Sequence, residues 1–100
     1  MPGLVQINNT NFTDYDRAYF GEETNNTFIL SVSGKQNTAK LLNNFSGVNS
    51  VDIKIYSDTS GDDLICTING VIVHGVELFI DKEKGLYARM GVNGEITWSL

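Results

Sequence analysis

One cysteine, one histidine and a shortage of basic residues are the first constraints this 100-residue chain sets. A lone thiol, Cys66, excludes an internal disulfide and a multi-cysteine zinc site, and no cysteine–histidine zinc spacing is present. His74 is the sole imidazole, and no serine or cysteine sits in a nucleophile motif, so the expectation is a protein without catalysis. Seven Lys and Arg against twelve Asp and Glu leave a net charge of −5. That is the wrong sign for a dedicated phosphate-backbone binder. No run approaches the roughly 18 apolar residues of a membrane span. The opening Met-Pro-Gly-Leu-Val-Gln lacks the basic and apolar regions of a signal peptide, and Pro2 stands where N-myristoylation requires glycine. The expected location is the cytoplasm, with no membrane partner and no cofactor.

What is present is ordinary globular material: 41% hydrophobic and 19% charged residues, enough for one domain over residues 1–100. Val51, Ile53 and Ile55 alternate with polar neighbours, the period of a half-buried strand. Ser57 to Asp63 reads as a turn, and Leu64 to Ile68 as the next strand. Asn69-Gly70 and Asn93-Gly94 carry the strongest short signal for hairpin turns. An alternative keeps the chain extended from Val71 to Ile80. Residues 51–100 then form an antiparallel meander of five or six short strands. In the first half, Leu4–Ile7 and Phe28–Val32 read as strands. Thr13 with Asp16 fits a capping box and predicts a short helix near 14–20. Leu41, Leu42 and Phe45, with Gly47 as a stop, predict the main helix near 38–45. The expected fold class is α+β, a twisted antiparallel sheet with these two helices.

Two residue sets stand out as candidate surfaces. Alternation places Val51, Ile53, Ile55, Leu64, Cys66, Leu78, Ile80, Leu86 and Met90 on a core face. The opposite face carries Tyr56, Ile65, Ile72, Phe79 and Tyr87, which either forms a homodimer or partner surface or is covered by the N-terminal elements. The second set is Asp14, Tyr15, Asp16, Tyr19, Glu22 and Glu23. Aromatic rings beside carboxylates suit a protein partner with a basic surface, the rings supplying contact area and the charges steering; the same residues also fit a solvated helix whose rings face the core. Metal chemistry is poorly served. Asp58, Ser60 and Asp62 have the first spacings of a calcium loop, but Asp63 occupies the glycine position and Asn69 that of the bidentate glutamate.

From residue 50 to residue 90 the chain resembles the stage V sporulation protein G family. The matching stretches are Val51-Asp52-Ile53-Lys54-Ile55, Val71-Ile72-Val73-His74-Gly75-Val76-Glu77-Leu78 and Lys84-Gly85-Leu86-Tyr87-Ala88-Arg89-Met90. The resemblance implies a β-sheet core, dimers, and DNA or RNA contact through Lys82, Lys84 and Arg89. Gly91 departs from the family's proline, and the family's C-terminal helical extension, which holds part of its nucleic-acid contacts, has no counterpart here.

The leading expectation is a small acidic protein–protein interaction module. By analogy of size and charge, it resembles phage or mobile-element inhibitors of host nucleic-acid-processing or defence machinery, of the anti-CRISPR kind. The alternatives are a dimeric DNA- or RNA-binding regulator and a viral structural or accessory protein.

Overall fold

The computed structural model describes residues 3–21, 27–45, 48–83 and 85–98, with residues 70–74 as backbone only. The elements are β1 (Leu4–Ile7), β2 (Thr10–Phe12), β3 (Arg17–Phe20), β4 (Thr27–Ser33), α1 (Lys35–Phe45), β5 (Ser50–Tyr56), β6 (Leu64–Asp81) and β7 (Gly85–Trp98). All strand pairs are antiparallel, in one sheet of order β2-β1-β5-β6-β7-β4-β3. The sheet curls into a half-barrel. The helix α1 packs on its inner face against β4, β6 and β7.

Strict alternation makes that inner face. In β4, Phe28, Leu30 and Val32 are buried while the residues between them are not. They pair across the ladder with Val92, Met90 and Ala88 of β7, which are also buried. Val51, Ile53 and Ile55 of β5 do the same on the other side of the sheet, Ile53 opposite Ile68 and Ile55 opposite Cys66. Each such pair removes two apolar side chains from water at once, which is what holds adjacent strands in register. The helix follows the 3.6-residue period instead: Thr38, Leu41 and Phe45 point to the sheet. Gly34, at a φ of +89°, turns the chain out of β4 into α1. Its N–H donates to the Leu86 carbonyl at 2.8 Å, and its carbonyl accepts from the Thr38 N–H at 3.0 Å.

The expected α+β class with two helices does not hold: among the described residues the protein is essentially all-β with one helix. Residues 17–20 of the expected short helix near 14–20 form β3. The Asp16 N–H donates to the Ser31 carbonyl at 2.8 Å, and the Asp16 carboxylate accepts from the Ser33 hydroxyl. A segment this short cannot nucleate a helix by itself, whereas the edge of β4 satisfies its backbone groups at once. The main helix begins at Lys35 rather than near 38. Its expected stop, Gly47, lies outside the described residues.

The meander also differs: residues 51–98 make three strands, two of them long, rather than five or six. Both Asn-Gly signals fall inside strands. Asn69 pairs with Glu95 and Ile72 with Asn93, so two residues of β6 stand opposite Gly94 alone. The dipeptides that favour turns here face each other across one ladder and make a bulge, which bends and twists the ribbon without reversing it. Leu78 and Ile80, expected in the core, are 54% and 89% exposed, because β6 runs past the end of the helix that covers its inner face lower down.

Leu41 is the fully buried anchor of α1, so Leu41→Ala should lower unfolding free energy by about 2–5 kcal/mol. Leu42, half-buried beside it, should cost clearly less on the same truncation. Urea unfolding followed by circular dichroism checks both; equal losses would contradict this placement of the helix.

Candidate functional site

The strand residues between the buried ones face outward, and β3, β4, β7 and β6 place them in cross-strand rows. One row runs Arg17–Ser31–Arg89–Glu77 and the next Tyr19–Ile29–Gly91–Gly75. A third runs Ser33–Tyr87–Phe79, with Asp16 joined to Ser33 by its hydrogen bond. The rings and guanidinium groups are organised against one another. Phe79 stacks on Tyr87 with centroids 4.9 Å apart and planes 15° apart. The Arg89 guanidinium lies 5.4 Å from the Phe79 centroid and that of Arg17 4.8 Å from Tyr19. Arg89 also meets Glu77 at 3.3 Å. That pair is solvent-exposed, so it orients the side chains more than it stabilises the fold.

This face joins parts of sets that sequence order kept apart. Asp16 and Tyr19 come from the acidic–aromatic segment, Phe79 and Tyr87 from the expected dimer face, and Arg89 from the expected nucleic-acid set. Asp14 lies at its margin, its carboxylate accepting from the Asn37 side chain at 3.4 Å. Tyr15 instead packs against the core, and burial pushes its hydroxyl pKa up. Lys82 is exposed at the tip of the β6–β7 hairpin. Glu22, Glu23 and Lys84 lie outside the described residues. Ile72 pairs by its backbone with Ser50 and Asn93, and its side chain is outside the description, as is that of His74.

Tyr56 and Ile65 do not join this face. They sit at the opposite end of β6, where Ile65 packs against the core. Ile65 there lines an apolar hollow of about 260 Å³ with Ala18, Tyr19, Phe20, Phe28, Ile55 and Trp98, so Tyr19 borders both this hollow and the outer face. Arg17, Ile29 and Ser31 belong to the outer face but were not singled out from the sequence. The alternation Arg17-Ala18-Tyr19 carried that signal, hidden by the capping-box pattern beside it.

Other chemistry-bearing residues are tied into local structure. The 57–63 loop closes on its own carboxylates: the Ser57 hydroxyl donates to Asp63, the Ser60 hydroxyl to Asp62 at 3.1 Å, and the Gly61 N–H to Asp58 at 3.2 Å. Among the described residues no three His, Cys, Asp or Glu side chains are grouped to hold a metal ion, and no helix is long and apolar enough to cross a membrane. No family model, no curated protein and no solved structure matches the chain.

Cys66 is fully buried opposite Ile55, and burial pushes its thiol up from 9.0 to about 11. A protonated thiol is a poor nucleophile. Folded protein should therefore ignore Ellman's reagent at neutral pH and release one equivalent of dye on unfolding in urea. Between pH 9 and about 11 the unfolded chain loses this proton while the folded chain keeps it, so stability should fall as pH rises through that window. The fall should be shallower in Cys66→Ala; identical pH profiles would remove Cys66 as the cause.

Proposed function

We propose that the chain is a non-catalytic binding module that docks a protein partner bearing a basic surface on the outer face of β3, β4, β7 and β6. The observation that carries this reading is the juxtaposition of Tyr19, Phe79 and Tyr87 with Arg17 and Arg89 on a sheet face that no described element covers. Tyrosine and arginine are the residue types that anchor protein interfaces, since each removes a large area from water and still makes hydrogen bonds at its tip. The guanidinium groups already lie against rings, which orders them before a partner arrives. Asp14, Asp16 and Glu77 form an acidic margin. With the net charge of −5 it favours encounter with a positively charged protein. A basic surface that binds nucleic acid has the required chemistry, and covering it would make the protein a stoichiometric inhibitor of a nucleic-acid-processing partner.

A second reading keeps the same face and changes the partner. Stacked aromatics under a guanidinium also suit unpaired bases, and the resemblance to the stage V sporulation protein G family favours nucleic acid, through Arg89 with Lys82 and Lys84. Charge separates the two readings, because phosphate contacts impose a steep salt dependence.

The test is paired. Labelled single- and double-stranded DNA and RNA, titrated from low salt upward, should show no binding in fluorescence anisotropy. Micromolar binding that falls steeply with salt would instead establish the second reading. A nuclease-treated pull-down should then capture a basic protein that the triple variant Arg17→Ala, Tyr19→Ala, Tyr87→Ala loses, with Kd weakened roughly 100-fold or more. Charge reversal at Asp14, Asp16, Glu22 and Glu23 should mainly slow association. Undiminished capture by the folded triple variant would remove this face from the account.

A further inference from the structure

The central ribbon is longer than the strands beside it. On one side β5 pairs with β6 only as far as Ile72, and beyond it no described strand pairs with that edge up to Asp81. Among the described residues, the segment from Gly75 to Ile80 is therefore an open strand edge, a template for another strand. Its inner-face side chains are Val76, Leu78 and Ile80, opposite Met90, Ala88 and Leu86 of β7. Two of them are among the most exposed large hydrophobic residues described, Leu78 at 54% and Ile80 at 89%. At the base of this segment, Leu42 and Phe45 of α1 with Gly75 and Val76 line a hollow of about 180 Å³. Gly75 has a φ of +108° and open space where a side chain would stand, which helps keep that hollow empty.

We propose that the occupant of this edge is a second copy of the same chain, paired antiparallel through residues 75–81 about a two-fold axis at Leu78. The inference is independent of the outer-face reading, since it uses the strand edge and the inner face. Apolar residues meet apolar residues only when residues of equal parity pair, which limits the axis to single positions along the strand. An axis at Glu77 sets Glu77 against its own copy. An axis at Phe79 sets Glu77 against Asp81, again carboxylate to carboxylate. Like charges directly opposite destabilise a ladder. The axis at Leu78 avoids both: Leu78 meets Leu78 of the second copy, and Val76 meets Ile80 of the second copy. Glu77 then faces Phe79.

The same register explains the hollow. Ile80 of one copy arrives beside Val76 of the other, at the mouth of the space lined by Leu42 and Phe45, and the symmetry repeats the contact. The exposed Ile80 and the open hollow are thus complementary, the self-matching an isologous interface requires. Main-chain hydrogen bonds would join the two β6 edges into one continuous sheet.

Analytical ultracentrifugation over a concentration series should find a species of twice the 11.0 kDa chain mass. Ile80→Lys should return it to the monomer mass at the same loading, with an unchanged circular dichroism spectrum because Ile80 contributes little to the core. Leu78→Cys should form a disulfide-linked dimer on mild oxidation. Lys82→Cys should not, since its two copies would lie more than about 20 Å apart along the strands. A chain that stays monomeric throughout overturns the proposal. So does a dimer that survives Ile80→Lys, or one in which Leu78→Cys cannot cross-link.

Discussion

The pairing of β6 with β7 is the constraint on which the other elements depend. It runs from Cys66–Trp98 at one end to Asp81–Gly85 at the other, and β5 and β4 join it directly, β1 and β3 through one neighbour, and β2 through β1 and β5. β5 adds along one edge of the lower half, through Ile72, while β4 adds along the opposite edge of the upper half, between Tyr87 and Asn93. This stagger has two consequences. It carries the curl of the ribbon into the whole sheet, so that a single helix of 11 residues fills much of the inner face. It also leaves the upper edge of β6 without a described strand beside it.

Curl and alternation together separate stability from recognition. Inner-face residues of β1, β4, β5, β6 and β7 share one apolar cluster with Leu41 and Phe45. Exchanging any of them creates a cavity or a clash. Outer-face residues carry no such obligation, so Arg17, Tyr19, Phe79, Tyr87 and Arg89 can be exchanged at little expense to the fold. Their mutual stacking and cation–ring contacts are what a surface needs in order to be ordered before it binds. The carboxylates of Asp14 and Asp16 show the opposite economy. Both serve the junction between β4 and α1 through Asn37 and Ser33, and both remain exposed at the margin of the same face.

Much of the sheet was legible because its signals are local. Leu4–Ile7, the core of β4 and the alternation Val51–Ile53–Ile55 correspond closely to β1, β4 and β5, and the 57–63 turn lies where its composition placed it. The acidic–aromatic segment was misread because two local patterns overlap there. Thr13 and Asp16 have capping-box spacing, while Arg17, Ala18 and Tyr19 alternate in and out. A capping box contributes little without a helix long enough to propagate, so the edge of β4 decided the outcome. Leu78 and Ile80 were misread for a related reason: alternation tells which residues share a face, and says nothing of where the covering element ends.

By itself the sequence determined which residues alternate, where the main helix lies, that the thiol is a buried hydrophobe, and that the charge is negative. These are properties of neighbours within a few residues, and short-range sterics and periodicity express them directly. Only the tertiary structure decided that two Asn-Gly pairs oppose each other as a bulge instead of turning. It also decided that Tyr19 and Arg89 share one face, and that β6 outruns β5. Each depends on strand register between segments far apart in the chain. Register is set by burying both sets of apolar side chains together, a condition that no single segment contains.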